Sequence, residues 1–281
     1  MPCQPLGLWL VGRRAGVLGR PIAHSLSPVL HRAAYADLGL DWTYDAIECD
    51  EQHLPSVLSE RADWAGFSCT MPLKRAVLEI ADEIAPVARA VGAGNTLLPR
   101  AGGGWIADNT DVAGIVASLA ENVVRASSAA VLGAGGTAQA VMAALAVHGV
   151  AECTVLVRDP ARTGDVQRAA DAVGLRLTIA DLASSAAALD SDLLVSTLPP
   201  GAADELAAHP WRAEQTVLDV VYAPWPTALA VSAQRGGATV LSGALMLLHQ
   251  AAAQVELMTG QVAPVEAMRE ALRAAVPSSG L

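Results

Sequence analysis

A glycine-rich turn at residues 131–138, VLGAGGTA, constrains the fold of this chain more than any other feature. The short apolar run at residues 129–132 predicts a strand, and residues 137–148 predict a helix that Gly149 ends. A strand that enters a helix through the spacing G-x-G-x-x-A is typical of dinucleotide-binding α/β units, although an ordinary glycine-rich turn could carry the same letters. We therefore expect NAD or NADP, rather than FAD, at this turn.

The residues after the next predicted strand bear on the choice of cofactor. Residues 153–157 form that strand, and Arg158, Asp159 and Arg162 follow it. An acidic residue at this place binds the ribose hydroxyls of NAD, whereas an arginine pairs with the 2′-phosphate of NADP. Because Arg158 stands first, the sequence favours NADP and leaves NAD as the alternative.

The rest of the chain alternates between strand and helix patterns, which predicts the α/β class with mostly parallel sheets. The first half shows strands at 15–19, 42–48 and 65–72 and helices at 29–40, 51–60 and 73–84. The second half adds strands at 193–197 and 217–221, helices at 111–123 and 244–259, and a shorter final helix.

Four short polar segments fall in loops or at strand ends of the first half, at residues 24–28, 68–74, 94–96 and 109–111. Ligands of open α/β sheets bind at the carboxyl ends of strands, so these segments can converge on one cleft. Their hydroxyl and amide groups suit a small polyhydroxylated acid. A lysine within them can protonate the alkoxide that forms when a ketone is reduced. Taken singly, each segment is equally well explained by a helix cap, a turn or an exposed lysine.

Together these segments resemble the motifs of the shikimate dehydrogenase family. The similar runs are GRPIAHSLSPVLH at 19–31, CTMPLK at 69–74, GAGNTL at 92–97, DNTD at 108–111, the glycine turn, DVVYAPWPTAL at 219–229 and SGALMLLHQAAAQVELMTG at 242–260. They occur in the family's order and span nearly the whole chain.

The resemblance implies the reversible reduction of 3-dehydroshikimate to shikimate with NADP, a step in the biosynthesis of aromatic amino acid precursors. It also implies two α/β domains with a cleft between them. The N-terminal substrate domain, with a mostly parallel sheet, would comprise residues 1–110 plus 243–281. A Rossmann-type NADP-binding domain would comprise residues 111–242.

The resemblance assigns roles to particular residues. Lys74 and Asp111 would be the catalytic pair, and Asp111 would hold the lysine ammonium group. The substrate-binding residues would be Ser25 and Ser27 at the carboxylate, Tyr222 nearby, and Thr70, Asn95, Asp111 and Gln250 at the ring hydroxyls. The cofactor-binding residues would be Gly133, Ala134, Gly135, Gly136, Thr137 and Arg158, with Gly243 close to the nicotinamide.

The sequence departs from the family's pattern in three places. Arg32 and Ser68 stand where asparagine is common, and Arg158-Asp159-Pro160 replaces an Asn-Arg-Thr run, which leaves the NADP preference open. Two other functions also stay open. One is an NAD-dependent quinate/shikimate dehydrogenase. The other is a ligand sensor without catalysis, against which the presence of Lys74 and Asp111 argues.

Composition excludes several other classes. The chain has a net charge of −10, which argues against nucleic acid as a partner. None of its cysteines, Cys3, Cys49, Cys69 and Cys153, forms a C-x-x-C pair, so we expect no metal site. No apolar stretch has membrane-spanning length, and no basic start precedes the apolar N-terminus. We expect a cytoplasmic monomer or homodimer that binds a small molecule.

Overall fold

The computed structural model describes residues 12–183 and 186–281, which contain two six-stranded sheets. The strands of the first sheet are β1 Arg14–Gly19, β2 Thr43–Glu48, β3 Gly66–Cys69, β4 Glu83–Ile84, β5 Thr96–Pro99 and β6 Trp105–Asp108. Those of the second are β7 Ala129–Leu132, β8 Glu152–Val157, β9 Arg176–Asp181, β10 Leu193–Ser196, β11 Thr216–Asp219 and β12 Thr239–Ser242. The helices are α1 Ser27–Asp37, α2 Leu54–Glu60, α3 Ala76–Ile80, α4 Pro86–Val91, α5 Asp111–Glu121, α6 Gly136–His148, α7 Gly164–Ala172, α8 Ala228–Arg235, α9 Gly243–Thr259 and α10 Val265–Ala275.

The second sheet is parallel throughout and has the strand order β12-β11-β10-β7-β8-β9. Counted from β7, this is the doubly wound order of a Rossmann sheet, in which the strands are added outward in one direction from β7 and in the other direction from β10. Both of these strands are buried along their whole length, as expected for strands that helices cover on both faces. The glycine turn that follows β7 therefore opens into the crevice at the switch point.

The first sheet has the order β2-β1-β3-β5-β6-β4 and is mixed. Strands β2, β1 and β3 are parallel neighbours, and β4 is parallel to β6. Strand β5 lies antiparallel to β3 on one side and to β6 on the other, and β5 and β6 form a hairpin. The predicted α/β class is confirmed, and this hairpin is an element that the sequence patterns did not predict.

The helix predicted at residues 73–84 is wrong over most of its length. Only α3 is helical, and Glu83–Ile84 forms the short strand β4 against β6. Proline disfavours the helical conformation of the residue before it, and Ala85, which precedes Pro86, is extended. The Asp82 carboxylate also accepts the backbone N–H of Trp105 in β6 at 2.9 Å, which holds this segment at the sheet edge. Similarly, the helix predicted at 51–60 begins only at Leu54.

The two C-terminal helices return to the first sheet. Helices α9 and α10 pack with α1, and their apolar residues share one core with β1 and β2. Helix α5 packs against α9 on one side and against α6 of the second sheet on the other. The chain therefore crosses between the sheets at α5 and at the β12–α9 junction, and a cleft lies between these crossings.

Candidate active site

A cavity of about 270 Å³ lies in this cleft, where loops of the first sheet face α6, α9 and the segment after β11. Its wall contains every residue predicted to bind the substrate and both residues of the predicted catalytic pair. These are Ser25, Ser27, Thr70, Lys74, Asn95, Asp111, Tyr222 and Gln250. Two residues from the predicted cofactor set, Thr137 and Gly243, line the same cavity.

Sheet topology brings these distant segments together. The carboxyl ends of β1, β3 and β6 and the amino end of antiparallel β5 meet at one edge of the first sheet. Ser25 follows β1, Thr70 follows β3, Asn95 precedes β5 and Asp111 follows β6. A direct bond from the backbone N–H of Cys69 to the backbone carbonyl of Asn95, at 2.7 Å, fixes two of these loops side by side.

Lys74 and Asp111 form an ion pair in the cavity, with 2.6 Å between Lys74 Nζ and Asp111 Oδ2. The side chain of Asp111 is 7% exposed and that of Lys74 is 21% exposed. The carboxylate is thus largely removed from water, whereas the ammonium group reaches the cavity space. Because the carboxylate limits the directions in which Nζ can point, the pair offers a positioned proton to a ligand in the cavity.

A set of polar side chains fixes the Asp111 carboxylate in turn. Asn95 Nδ2 donates to the second carboxylate oxygen, Oδ1, at 2.9 Å. The Asp111 backbone N–H donates to Asn109 Oδ1 at 3.0 Å, and Asp111 itself opens helix α5. A negative charge at a helix N-terminus is favoured by the helix dipole. Both carboxylate oxygens therefore have partners, and the group does not need the ligand to be satisfied.

Ser25, Ser27 and Tyr222 bring hydroxyl groups to the cavity wall. The backbone N–H of Ser27 donates to Ser25 Oγ at 3.3 Å, so the two serines form a tight turn at the start of α1. Burial raises the pKa of Tyr222, which keeps that phenol protonated and able to donate. Hydroxyl groups of this kind suit the recognition of a carboxylate by neutral donors.

Several side chains at this site had no role in the sequence predictions. Ser68, which stands where asparagine is common in the family, lines the cavity, and so does Gln254. Gln254 is buried and bonds to Ser68, to Thr96 and to the backbone of Asn95. Gln250 and Gln254 lie four residues apart on one face of the mostly apolar helix α9, and this spacing is the signal in the sequence that could have found Gln254.

A second recess adjoins the glycine turn, and a third joins it to the substrate cavity. The second, of about 520 Å³, is lined by the turn and by the ends of β8 and β10. The third, of about 580 Å³, shares Gly135 and Arg162 with the second and Thr70, Lys74 and Thr137 with the substrate cavity. A continuous groove thus runs from the end of β8 to Lys74.

The glycine turn fits a dinucleotide in its details. Gly133 has a φ of +98°, and a side chain there would meet Thr197 Oγ1 at 2.7 Å. At Gly135 a side chain would meet no atom within 4 Å, so the open space above this residue is free for a pyrophosphate. Gly136 begins α6, where backbone N–H groups point outward and favour an anion. A side chain at Gly136 would come within 3.4 Å of Lys74 Cδ, so the turn and the lysine lie close together.

The end of β8 places Arg158, Asp159 and Arg162 around the second recess. Asp159 Oδ1 accepts the backbone N–H of Ala161 at 3.0 Å and caps the short turn at 160–162. One of its carboxylate oxygens is therefore engaged by its own loop. Arg162, which was not among the predicted cofactor-binding residues, lines both the second and the third recess. It brings a second guanidinium group to the second recess, beside that of Arg158.

Gly243, predicted to lie near the nicotinamide, begins α9 at the wall of the substrate cavity. A side chain there would come within 1.9 Å of the backbone oxygen of Val220, which follows β11. The glycine is thus required by the packing of this junction, whatever the cofactor needs.

Within the part of the chain that the structure describes, no cluster of three or more His, Cys, Asp or Glu residues could hold a metal ion. Among the same residues, every helix is too short or too polar to cross a membrane. Cys49, Cys69 and Cys153 are free thiols, whereas Cys3 and the rest of the N-terminal segment considered above lie outside the described residues.

Comparison with known protein families gives three matches along the chain. Residues 17–97 match the shikimate dehydrogenase substrate binding domain. Residues 243–273 match the shikimate 5′-dehydrogenase C-terminal domain. Residues 129–241, between them, match the saccharopine dehydrogenase NADP binding domain.

Whole-chain comparisons agree. Shikimate dehydrogenase (NADP(+)) of Symbiobacterium thermophilum is 37% identical, over 94% of this chain and 95% of that protein. The crystal structure of Mycobacterium tuberculosis shikimate dehydrogenase is 45% identical, with a TM-score of 0.85, over 94% of this chain and 99% of that one. The Thermus thermophilus enzyme in complex with NADP(H) and shikimate is 35% identical, with a TM-score of 0.81 and the same coverage. Quinate dehydrogenase from Corynebacterium glutamicum in complex with NAD is also similar, at 29% identity and a TM-score of 0.83, again over 94% and 99%.

Proposed function

The chain belongs to the shikimate dehydrogenase family, and from this premise we propose that it interconverts 3-dehydroshikimate and shikimate, with NADP as its redox partner. The observation that carries the proposal is the position of the Lys74–Asp111 pair. Lys74 Nζ and Asp111 Oδ2 lie 2.6 Å apart in a cavity of hydroxyl and amide groups, and this cavity opens onto the glycine turn.

The chemistry follows from the groups around the cavity. Bound NADPH would supply a hydride to the ketone carbon of 3-dehydroshikimate and leave as NADP⁺. Lys74 would donate the proton that the ketone oxygen needs as it becomes a hydroxyl group, and solvent would restore it. In the reverse direction, Lys74 would take the hydroxyl proton from shikimate. Asp111 would keep the lysine ammonium group aimed at that oxygen in both directions.

Substrate orientation follows from the distribution of the other groups. Ser25, Ser27 and Tyr222 would bind the carboxylate, because they bring neutral hydroxyl donors to the cavity wall. Thr70, Asn95 and Gln250 would bind ring hydroxyls near Asp111. This orientation would place the reacting carbon between Lys74 and the nicotinamide, with Gly243 at the cavity wall beside it.

We also propose that the chain works as two domains, residues 1–110 plus 243–281 and residues 111–242. The substrate groups of the cavity come mainly from the first, and the glycine turn and Arg158 come from the second. Helix α5, which contacts helices of both sheets, would carry Asp111 at their junction. Arg158 and Arg162 would pair with the 2′-phosphate of NADP.

The assay for this function supplies purified protein with shikimate and NADP⁺ and follows the appearance of NADPH. The expected result is turnover that saturates in both ligands, with 3-dehydroshikimate as the product. Absence of turnover in folded protein, measured at saturating concentrations of both ligands, would refute the proposal.

The second candidate function is that of a quinate/shikimate dehydrogenase that uses NAD. The similarity of the chain to a quinate dehydrogenase in complex with NAD supports this candidate. The same assay with quinate and NAD⁺ distinguishes the two. We expect shikimate with NADP⁺ to give the highest kcat/KM of the four combinations. A higher value for quinate with NAD⁺ would assign the second function.

A further inference from the structure

Gln254 lines the substrate cavity, yet its side-chain amide is bonded entirely within the protein. Its Nε2 donates to the backbone carbonyl of Asn95 at 3.2 Å and to Thr96 Oγ1 at 3.0 Å. Its Oε1 accepts the Ser68 hydroxyl at 2.7 Å and lies 3.3 Å from His31 Nε2. An amide has two protons to give and one oxygen with two lone pairs, so these four contacts use the whole group. Gln254 therefore holds other side chains in place and has no group left for a ligand.

The orientation of this amide is fixed by its neighbours. A backbone carbonyl can only accept, so Nε2 must be the atom that faces Asn95, and Oε1 then faces His31. Burial lowers the pKa of His31 to about 3, so its ring is neutral and carries one proton, which points from Nε2 to the amide oxygen. Because Thr96 Oγ1 accepts a proton from Gln254, the Thr96 hydroxyl must turn its own proton to another acceptor.

That acceptor is the side chain of Asn95. The Thr96 hydroxyl donates to Asn95 Oδ1 at 2.8 Å, and the backbone N–H of Thr110 donates to the same oxygen at 2.8 Å. With Oδ1 held by these donors, Asn95 Nδ2 is turned toward Asp111 and donates to its Oδ1 at 2.9 Å. The other oxygen of this carboxylate binds Lys74. A line of hydrogen bonds thus runs from helix α9 through β5 to the predicted catalytic pair.

Thr96 can influence the reaction only through Asn95. It is fully buried in β5 and does not line the cavity, so it meets neither ligand directly. Each hydrogen bond in such a line polarises the next and restricts the direction of the group that receives it. Reaction rates fall steeply when a reacting group is displaced by about 1 Å, so the bonds that fix Asp111 also bear on the rate.

We propose that Gln254 and Thr96 are positioning residues for proton transfer. Gln254 sets the direction of the Thr96 hydroxyl, the hydroxyl fixes the Asn95 amide, and the amide holds the Asp111 carboxylate against Lys74. This inference rests on the proposed function for the identity of the reaction. It adds two buried residues that touch neither the substrate nor the cofactor to the groups on which the proton transfer depends.

The test is the Thr96→Val variant, which removes the hydroxyl and keeps the shape of the side chain. The single-turnover rate of shikimate oxidation is expected to fall ~3- to 10-fold, the size of one hydrogen bond, and the KM for NADP⁺ should not change. Proton transfer becomes slower relative to the other steps, so the loss of rate on moving from H₂O to D₂O should be larger than in the wild type. An unchanged rate, or a lower rate with an unchanged D₂O effect, would overturn the proposal.

Two variants serve as controls. Thr96→Ser keeps the hydroxyl and should restore the wild-type rate and D₂O effect. Ser118→Ala removes an equally buried hydroxyl from α5, the helix that begins at Asp111, but Ser118 donates to the backbone carbonyl of Gly114 at 2.7 Å. It should also behave as the wild type does. A loss in either control equal to that in Thr96→Val would overturn the proposal.

A double variant tests whether the effect passes through Asn95. In an Asn95→Ala background, Thr96→Val should lower the rate no further, because the line of hydrogen bonds to Asp111 is already broken. Losses that multiply would overturn the proposal.

Gln254→Met supplies a test that does not depend on the folding of Thr96→Val. It removes the donor that orients the Thr96 hydroxyl, so a lower single-turnover rate and a larger D₂O effect are again expected, and wild-type values would contradict the proposal. All of these comparisons need an active wild type. Absence of wild-type turnover would refute the proposed function, whereas wild-type turnover with the wrong variant pattern would refute only the positioning role of Gln254 and Thr96.

Discussion

Lys74 combines two properties that rarely occur together: its ammonium group reaches a cavity, and its partner carboxylate is almost fully buried. Asp111 is bound by Lys74 and Asn95 through different oxygens, so the carboxylate stays in place when the lysine changes its contacts. This arrangement suits a group that must exchange a proton with a ligand and then return to the same position.

Replacement of Lys74 by Ala should lower kcat by ~10²–10⁴-fold, because the forming alkoxide loses its proton donor. The KM for shikimate should change much less than kcat. Single-turnover measurements at saturating substrate check this. Arg75→Ala, which alters the neighbouring and mostly exposed cation, is a control that should keep kcat within a few-fold of wild type. Near-normal turnover in Lys74→Ala would show that another group moves the proton.

Ser25→Ala and Ser27→Ala should each weaken shikimate binding by ~1.5–3 kcal/mol, which is the range for a hydrogen bond to a charged group. Calorimetric titration of each variant with shikimate measures the loss. The assignment fails if both variants bind shikimate as tightly as the wild type does.

Among the elements, we propose that the strand β8 and its following loop determine the choice between NADP and NAD. Arg158 and Arg162 bring two guanidinium groups to the recess, whereas the Asp159 carboxylate is engaged in capping its own turn. An arginine can make two parallel hydrogen bonds to a phosphate, which an NAD ribose does not offer.

Arg158→Ala should therefore weaken the binding of NADP⁺ and leave the binding of NAD⁺ nearly unchanged. Competition titrations with both cofactors, in the wild type and in the variant, measure this. Arg168→Ala is a suitable control, because Arg168 is an exposed arginine on α7 that pairs with Asp165 away from the second recess. Equal losses of affinity for the two cofactors in Arg158→Ala would mean that Arg158 stabilises its loop and does not bind the 2′-phosphate.

Prediction from the sequence succeeded where one local pattern decides the structure. The strand–glycine–helix pattern at residues 129–148 and the long helix after Gly243 were confirmed within one or two residues. It failed where tertiary pairing decides. The amphipathic pattern at residues 73–84 gave way to Pro86 and to pairing with β6, and the β5–β6 hairpin has no strong local signal.

The predicted site shows the same division. Lys74, Asp111 and the serines occur in short polar segments, which is why the sequence could single them out. Gln254 gains its importance from neighbours far along the chain, Ser68 and Asn95. Its spacing from Gln250 places both side chains on one face of α9, but that spacing does not reveal which residues Gln254 contacts.

For the molecule as a whole, a buried histidine links stability to pH. Burial lowers the pKa of His31 from its ordinary value of 6.5 to about 3, with the bond to Gln254 opposing the shift. The unfolded chain therefore takes up this proton first as the pH falls. The stability that neutral His31 provides is complete above pH 6.5 and is lost as the pH falls toward 3.

A single proton of this kind changes the free energy of unfolding by at most ~1.4 kcal/mol per pH unit. Urea unfolding at several pH values between neutral and mildly acidic measures it. His31→Gln should be less stable than the wild type at neutral pH, and the difference should shrink as the pH falls. A difference that stays constant over this range would mean that His31 is not the group responsible.

We propose that the cavity and the groove at the glycine turn form one redox site, in which hydride passes directly between shikimate and NADP. The most direct test uses shikimate that carries deuterium on the carbon whose hydroxyl group is oxidised, together with NADP⁺. Mass spectrometry of the reduced cofactor then follows the label. The deuterium is expected to appear in NADPH. Unlabelled NADPH with deuterium released to water, or no NADPH at all, would contradict it.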